Sequence, residues 1–377
     1  MIKSYEEALK YIFDSEIMRD YNLEKIKICA QKLWNPQNNY KIIHITGTNW
    51  KWSTCNMCFS VLKKRGKKVW IFTSPHLLDI RERFKTNDWL ISESDFLEII
   101  NKILSLNVPL SYFENCTLIA FEYFKRAWCE YVVIEVWMWW LLDSTNIVNS
   151  EITSITSIWY DHMELLWHTL EDIAFQKAWI IKPGKPVVIN IHNKVIENIA
   201  KGKQSPIIFT DKSIPTNMIW DYQKKNAALA YEICKFIWVP ESIILWWLQE
   251  VENKGRLEYI RDNLLIDWAH NEQWLESLQN YLSQINNKYE KIVYCFSAKK
   301  GKDIKKLIIK RFWNDKEYII VNQKHNMLEN LEDIILQLSW INYQINTAKE
   351  IIALSKENKN TLYVVFWSLY MIWWFYS

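Results

Sequence analysis

The chain has 377 residues and a formal net charge of +3; 24% of its residues are charged and 50% are hydrophobic. These values are ordinary for a soluble globular protein, and they exclude the strong basic field of a nucleic-acid or membrane-surface protein. The length predicts two or three domains. The seven cysteines lack framework spacing, and the N-terminus is acidic and amphipathic rather than signal-like, so we expect a reduced, cytoplasmic setting.

Tryptophan and glycine occur in unusual numbers, with 23 Trp against 6 Gly. An average glycine usage of about 7% would give roughly 26 Gly in a chain of this length. Many of the Trp residues stand where a turn or loop needs glycine, as in GTNWKWST at 47–54. We hypothesise that most of them are glycine, encoded by UGA in a lineage that decodes this codon as glycine and read here as tryptophan. The alternative is a genuinely Trp-rich protein, which UGG codons at these positions would establish.

Short β-branched runs alternate with longer amphipathic segments, which is typical of α/β domains with parallel sheets. The first series predicts strands at 41–46, 68–73, 131–136, 153–158 and 186–190, and helices at 5–13, 54–65, 94–105, 115–127, 169–178 and 224–236. The stretch 191–215 shows no motif. A second series follows NKGR at 253–256, with strands at 263–267, 291–296, 317–321 and 361–366, and helices at 272–284, 302–311 and 328–338.

These patterns predict two domains of the α/β class. We expect a P-loop N-terminal domain of residues 1–255 with a mainly parallel sheet, and a smaller Rossmann-like α/β domain of residues 256–377. The uncharged stretch 361–377 is shorter than the ~20 residues that span a bilayer. It is therefore interpreted as a buried strand, a turn and a short apolar segment, with no membrane as a partner.

The strand at 41–46 runs directly into GTNWKWST and then into a helical pattern. A strand, a tight loop, a Lys with Ser/Thr and a helix form a phosphate-binding arrangement, in which backbone N–H groups meet the anion. With Gly at 50 and 52 the loop would be GTNGKGST. The loop predicts phosphate binding by Asn49, Trp50, Lys51, Trp52 and Ser53.

Further motifs extend over nearly the whole chain: WNPQ at 34–37, TSPHL at 73–77, EVWMWWLLDSTN at 135–146, SIWYDH at 157–162, KAWIIK at 177–182, GRLE at 255–258, DWAHN at 267–271 and WSLY at 367–370. Together with the phosphate loop they resemble the folylpolyglutamate synthase / dihydrofolate synthase family of the Mur ligase superfamily. This chain has Trp at nearly every glycine of these family motifs, which supports the glycine hypothesis independently.

The resemblance implies an ATP-dependent amide ligase. A carboxylate of dihydropteroate or folate would take the γ-phosphoryl group, and the amine of L-glutamate would displace phosphate from the acyl phosphate. One alternative is another Mur-type ligase with a different acid acceptor, that is, a different carboxylic acid to which the amino acid is joined. The other alternative is a degenerate nucleotide-binding relic in which the Trp residues are genuine. The family also implies small-molecule partners only, no nucleic acid, a monomer, and an active site between the two domains.

Carried over residue by residue, the resemblance implies Mg²⁺ ligation by Ser74, Glu135 and His162, with catalytic roles for Lys51, His162 and Lys177. Glu135 ends a buried strand, where an unpaired carboxylate would be costly; an ion pair with a lysine is the alternative to a metal. Lys177 matches a carbamylated lysine of the family, which supplies an anionic metal ligand. The alternative for Lys177 is an ordinary lysine on a helix face.

The resemblance also implies two sets of binding residues. The nucleotide would be contacted by Asn226, Arg256, Asp267 and His270. For Asp267 and His270, a helix N-cap and its neighbour are the alternative. The pterin-bearing substrate would bind at Ser111, Tyr112, Phe113, Glu114, Leu142, Asp143 and Ser144. Phe113 would stack on the pterin ring or else serve as a core aromatic.

Overall fold

The structure is a computed structural model. It describes residues 1–15, 22–76, 79–86, 89–137, 141–160, 169–218, 220–251, 255–269, 271–298, 304, 317–323, 328–338 and 342–376. The chain divides into two compact units, Met1–Glu252 and Asn253–Ser377. Each unit contains a mainly parallel sheet accompanied by helices, so the predicted α/β class is confirmed.

The sheet of the first unit has, within the described residues, seven strands in the order β3-β2-β4-β1-β5-β6-β7, and only the β2–β3 pair is antiparallel. The strands are β1 Lys41–Thr46, β2 Val69–Phe72, β3 Phe84–Lys85, β4 Tyr131–Glu135, β5 Ile152–Ile155, β6 Val187–Ile189 and β7 Ile207–Phe209. Their β-branched runs show little polar alternation, because parallel strands of this kind are covered on both faces.

Helices cover both faces of this sheet. They are α1 Tyr5–Asp14, α2 Glu24–Lys32, α3 Lys51–Lys64, α4 Glu93–Leu104, α5 Tyr112–Arg126, α6 Leu170–Ala178, α7 Lys194–Gly202, α8 Asp221–Phe236 and α9 Glu241–Trp247. Val132 and Ile134 of β4 belong to one core with residues of α4 and α5. Val133 belongs to another core with residues of α3 and α8. Successive strand residues point to opposite faces, which is why one strand contributes to two cores.

The sheet of the second unit has the described strand order β12-β11-β10-β13-β9-β8, with an antiparallel β8–β9 pair. The strands are β8 Glu258–Arg261, β9 Leu264–Asp267, β10 Lys291–Phe296, β11 Glu317–Val321, β12 Tyr343–Asn346 and β13 Thr361–Phe366. The helices are α10 Glu272–Ile285, α11 Leu331–Gln337, α12 Ala348–Glu357 and α13 Leu369–Ile372. All four strands predicted for this unit are present.

The structure differs from the sequence prediction at several elements. Helix α3 begins at Lys51 rather than at 54, so the phosphate-loop lysine lies in its first turn. Strand β7 and helix α7 lie in the stretch 191–215, where no motif was found. Strand β7 lies at the sheet edge with its residues partly or largely exposed, so it lacks an apolar signal. Residues 302–311, predicted as a helix, lie outside the described residues except for residue 304.

The end of the chain forms β13, α13 and a 3-10 helix at Trp373–Phe375. The predicted buried strand at 361–366 is therefore present, and short helical turns follow it. Across the portion of the chain that is described, no helix has the length and apolar character needed to cross a membrane.

Three helices end with tryptophan in a left-handed backbone conformation. The residue after the C-cap is Trp34 for α2, Trp128 for α5 and Trp238 for α8. Their φ angles are 63°, 53° and 66°, respectively. Their side chains are 84%, 83% and 92% exposed. Gly66 occupies the same position after α3, with φ of 80°. Glycine is the usual residue at this position because a Cβ is strained there, and the exposed indoles gain little packing in return. This backbone supports the glycine hypothesis.

Candidate active site

The phosphate loop lies between β1 and α3, at the carboxyl end of the central strand. A Cβ atom at Gly47 would come within 1.9 Å of Thr156 Oγ1 and 3.0 Å of the Ser157 backbone nitrogen, so any other residue here would force its neighbours to shift. Trp50 is the N-cap of α3 and has a left-handed φ of 67°. The Lys51 ammonium donates hydrogen bonds to the carbonyls of Gly47 and Thr48, at 2.9 and 3.0 Å. The structure therefore has the predicted strand, loop and helix in sequence, and phosphate binding by this loop stays a prediction.

Residues after β5 support this loop from the side. The Thr156 hydroxyl donates to the Asn49 carbonyl at 2.7 Å, and the Asn49 N–H donates to Ser157 Oγ at 2.9 Å. The Thr48 N–H donates to the Ser157 carbonyl at 2.9 Å. Strands β1 and β5 are parallel neighbours, so their carboxyl ends meet. The sequence prediction included Asn49 but gave no role to Thr156 or Ser157, although Ser157 begins the SIWYDH motif and both lie in the predicted strand 153–158.

Helix α8 brings a predicted nucleotide-binding residue close to the same loop. The Gln223 amide donates to Ser53 Oγ at 3.2 Å, and the Asn226 amide donates to Gln223 Oε1 at 2.9 Å. Asn226 thus lies one side chain away from Ser53, and both are buried. The Tyr222 ring stacks on Trp50, with ring centroids 4.4 Å apart. Gln223 was given no role; it stands just before the helix predicted at 224–236.

Two of the predicted metal ligands meet at the carboxyl edge of this sheet. The Ser74 N–H donates to Glu135 Oε2 at 3.0 Å, and both residues are buried. Hydroxyl and carboxylate oxygens are ligands that Mg²⁺ accepts. His162, the third predicted ligand, lies outside the described residues. No group of three His, Cys, Asp or Glu residues suited to a metal occurs among the residues that are described.

A buried arginine adjoins these ligands. Arg83 donates from Nη1 to Ser74 Oγ at 2.5 Å and from Nε to His76 Nδ1 at 3.0 Å. Burial, and secondarily the Arg83 charge, lower the pKa of His76 to about 3, so its imidazole is neutral and can accept this bond. The sequence prediction missed Arg83. Charged side chains are rarely buried, so nothing in the sequence pointed to this residue.

Residues predicted to bind the pterin-bearing substrate lie next to the Glu135 strand. Asp143 caps the 3-10 helix Ser144–Ile147, and its Oδ2 accepts a hydrogen bond from the Trp137 N–H at 3.1 Å. The hydroxyls of Ser144 and Thr117 lie 2.6 Å apart and join this helix to α5. Phe113, in the first turn of α5, stacks on Phe72 with centroids 5.8 Å apart. The structure therefore groups Phe113, Asp143 and Ser144, while the neighbouring Leu142 is exposed.

The remaining residues of this set make structural contacts. Ser111 and Glu114 form the capping box of α5, in which the Ser111 N–H donates to Glu114 Oε2 at 2.8 Å. Tyr112 stacks on Phe13, with centroids 5.7 Å apart, and the Arg83 guanidinium lies 5.4 Å from the Tyr112 ring centre. These contacts explain why the residues occur at the start of a helix, and their role in substrate binding stays a prediction.

Lys177 lies in the last turn of α6 and is fully buried. Burying an ammonium ion is costly, because the interior solvates charge poorly. Lys177 is therefore not a solvent-exposed lysine of the helix face. Complete burial is consistent with a lysine that is used in another chemical form.

Two predicted nucleotide-binding residues of the second unit adjoin each other. Asp267 ends β9, and its Oδ2 accepts a hydrogen bond from the Leu257 N–H at 2.7 Å. Burial raises the pKa of Asp267 to about 7, while the Arg256 charge opposes this shift. The Arg256 guanidinium lies 4.4 Å from the ring centre of Trp268 and 3.9 Å from that of Trp274. His270 lies outside the described residues.

Comparison with known proteins identifies the class. Residues 45–243 match the Mur ligase middle domain family, which is more than half of the chain. The chain therefore belongs to the Mur ligase family. It is 28% identical over 333 residues to the dihydrofolate synthase/folylpolyglutamate synthase of Bacillus subtilis, covering 76% of this chain and 77% of that protein. The resemblance predicted from the motifs is confirmed, and the protein is an ATP-dependent ligase.

Solved structures agree with this assignment. The folylpolyglutamate synthase structure from Thermotoga maritima is 25% identical, with a TM-score of 0.84 over 98% of this chain and 95% of that chain. A bifunctional folylpolyglutamate synthase/dihydrofolate synthase from Yersinia pestis, complexed with AMPPNP and Mn ion, is 23% identical. Its TM-score is 0.87 over 98% of this chain and 97% of that chain, which shows that the two share a fold.

Proposed function

We propose that this ligase adds L-glutamate to dihydropteroate, to folate, or to both. The main support for this proposal is that three groups lie at one edge of a parallel sheet. They are the phosphate loop after β1, Ser74 after β2 and Glu135 at the end of β4. Asp143 is linked to the same edge through Trp137. Ligands bind outside the carboxyl ends of such strands, so phosphoryl donor and acid acceptor would meet there.

In the proposed reaction, a carboxylate oxygen of the acid acceptor attacks the γ-phosphorus of ATP and ADP leaves. The amine of L-glutamate then attacks the acyl carbon, the C–O bond to phosphate breaks, and an amide forms with loss of a proton. Lys51 and Ser53 would hold the phosphates. The nucleotide would also contact Asn226, Arg256, Asp267 and His270.

The reaction requires neutralisation of phosphate charge, which a bound divalent cation supplies. We propose that Ser74, Glu135 and His162 hold Mg²⁺. The Yersinia pestis relative was solved with Mn ion and AMPPNP, which supports a divalent metal together with ATP in this family. Glu135 fits this role because its buried carboxylate faces the backbone of a second predicted ligand.

We further propose that Lys177 is carbamylated. A neutral amine adds to CO₂ and loses a proton, which turns a costly buried cation into an oxygen-bearing anion able to bind a cation. The support is the complete burial of Lys177. The acid acceptor would bind among Phe113, Asp143 and Ser144, with Phe113 stacking on its ring, and the active protein would be a monomer.

Coupled ADP release tests the proposal. The experiment uses the glycine form, which carries Gly at the motif positions Trp34, Trp50, Trp52, Trp137, Trp139, Trp140, Trp159, Trp179, Trp268 and Trp367. ADP should appear only when a pteroate or folate, Mg²⁺ and L-glutamate are all present. ADP release with other acid acceptors and none with pteroates would assign the protein to a different ligase subgroup. No ADP release in any mixture would favour the degenerate relic.

A further inference from the structure

His44 is a buried histidine of β1 that the reaction outlined above does not use. Its side chain is fully buried, and its Nε2 lies 3.0 Å from Thr145 Oγ1. Thr145 Oγ1 lies 2.6 Å from Asp143 Oδ1. A continuous chain of hydrogen bonds therefore runs from the central strand of the sheet to the carboxylate at the proposed acid-acceptor site.

The direction of these hydrogen bonds follows from the groups themselves. An ionised carboxylate only accepts, so the Thr145 hydroxyl donates its proton to Asp143. That hydroxyl has no second proton to give, and it must therefore accept from His44. His44 is then the neutral tautomer with its proton on Nε2. Burial, followed by the charge of Lys182, lowers the pKa of His44 well below its usual range, which agrees with a neutral ring.

The Asp143 carboxylate is held on both of its oxygens. Oδ1 accepts from the Thr145 N–H at 2.9 Å as well as from its hydroxyl, and Oδ2 accepts from the Trp137 N–H at 3.1 Å. Two of these three donors belong to Thr145, which is also the residue that His44 contacts. The orientation of Thr145 therefore helps to set the direction in which the Asp143 carboxylate oxygens point.

A half-buried side chain, that of Lys182, holds the following turn through separate hydrogen bonds. Lys182 donates to the Asn146 carbonyl at 2.9 Å and to Asn146 Oδ1 at 2.8 Å. The Asn146 amide donates to the Leu141 carbonyl at 3.1 Å. The backbone of residues 141–146 thus has its own anchor, so loss of His44 would release the Thr145 hydroxyl without releasing the whole segment.

We propose that His44 is a positioning residue for the acid acceptor, acting through Thr145 on the Asp143 carboxylate. The inference rests on the proposed function, in which Asp143 faces the ring-bearing substrate. A carboxylate recognises the N–H groups of an amino-substituted heteroaromatic ring only when its lone pairs point at them. The hydrogen-bonded chain from His44 provides that orientation.

Steady-state kinetics on the full-length glycine form test this role. His44→Leu removes the donor to Thr145 and should raise the KM for dihydropteroate or folate about tenfold, because a misoriented Asp143 carboxylate would lose one charged hydrogen bond to the substrate. The KM for ATP should stay within about twofold of the parent, since Lys51 and Ser53 are untouched. His44→Gln can place an amide donor near Nε2 and should recover most of the loss.

Thr145→Val is a second test variant, because it removes the hydroxyl through which His44 is hydrogen-bonded to Asp143. It should reproduce the KM increase, and the double variant should be no worse than either single variant. If His44→Leu does not fold, Thr145→Val with Thr145→Ser as its matched control decides the question. The inference would be overturned if the KM for the pteroate were unchanged in both variants. It would also be overturned if the variants only lowered stability and raised the KM for ATP. A parent enzyme that turns over no pteroate would refute the proposed function itself, and this inference with it.

Discussion

The backbone N–H of Ser74 donates a 3.0 Å hydrogen bond to the carboxylate of Glu135, although 61 positions separate the two residues in the chain. They meet because β2 and β4 are parallel neighbours, and each residue lies at or just beyond the carboxyl end of its strand. A buried carboxylate beside a second oxygen-bearing residue provides the kind of ligands that a hard divalent cation takes.

Glu135→Gln should abolish turnover while the fold is kept. The change preserves size but removes the charge, and losing one charged ligand of a phosphoryl-transfer metal should cost several kcal/mol of transition-state stabilisation, roughly a thousandfold in rate. Glu122→Gln is the matched control, because Glu122 is equally buried but pairs with Lys102 and Arg126. It should lower thermal stability and leave kcat near the parent value. An active Glu135→Gln enzyme, within about threefold of the parent, would remove Glu135 from the metal site.

Lys177→Ala should be nearly inactive if the buried lysine acts as a carbamate. Adding a short carboxylic acid should restore part of the activity, because its carboxylate can occupy the space left by the carbamate. The same acid added to Glu135→Gln should restore nothing, which separates chemical rescue from a general salt effect. Full activity of the Ala variant without added acid would make Lys177 a structural residue.

Sequence reasoning located the residues that stand at strand ends. Lys51, Ser74 and Glu135 each adjoin a β-branched run, and parallel strands bring their carboxyl ends to one edge. Periodicity predicted where these strands end, and the resemblance of the motifs to the family singled out Ser74 and Glu135 there; their roles stay predictions. The α/β class followed from the same alternation of strands and helices.

The supporting contacts were beyond sequence reasoning for physical reasons. Gln223 and His44 are single polar residues within helical and strand patterns, and only tertiary packing brings them to Ser53 and Thr145. Arg83 carries a charge, and a charged residue is expected at the surface rather than buried beside Ser74. Strand β7 is a short edge strand with exposed residues, so no hydrophobic pattern marks it.

The stability of the protein should respond to Asp267 as the pH rises. Burial raises the pKa of Asp267 from 3.8 to about 7, so the folded state favours the protonated acid. The stabilisation from this proton is complete below about pH 4 and is lost as the pH rises through about 7. Asp267→Asn should therefore raise the free energy of unfolding at pH 8, by up to about 4 kcal/mol, and flatten its pH dependence.

Chemical denaturation between pH 5 and 8 measures this effect. Asp262→Asn is the control, because Asp262 is exposed in the turn before β9 and should change the pH profile little. An Asp267→Asn variant with the parent's pH profile would show that the Arg256 charge keeps the carboxylate ionised throughout.

Replacing the exposed helix-end tryptophans with glycine should stabilise the chain. Trp34, Trp128 and Trp238 hold left-handed backbone, which costs a residue with a Cβ about 1–2 kcal/mol. Each Trp→Gly change should therefore raise the free energy of unfolding by about 1 kcal/mol. Gly66→Trp is the matched control: nothing lies within 4 Å of a Cβ there, so only the backbone should resist, and stability should fall by a similar amount. Lower stability in all three glycine variants would count against the glycine hypothesis.

The phosphate loop gives the sharpest test of that hypothesis. Trp50 caps α3 with a φ of 67°, and Lys51 and Trp52 follow it in the helix. N–H groups at such a helix start must approach a phosphate closely, and bulky side chains at 50 and 52 would hinder that approach. Overpacking costs about 1–3 kcal/mol per site, so the summed cost of Trp at 50, 52, 137, 139 and 140 approaches the roughly 5–15 kcal/mol stability of a whole domain.

The chain with tryptophan should therefore fold poorly, and calorimetry should detect no MgATP binding. Glycine at these five positions should restore binding. Trp34→Gly alone is the control, and it should not restore binding because Trp34 lies at an exposed helix end. Tight MgATP binding by the tryptophan chain would refute the hypothesis and identify the indoles as genuine.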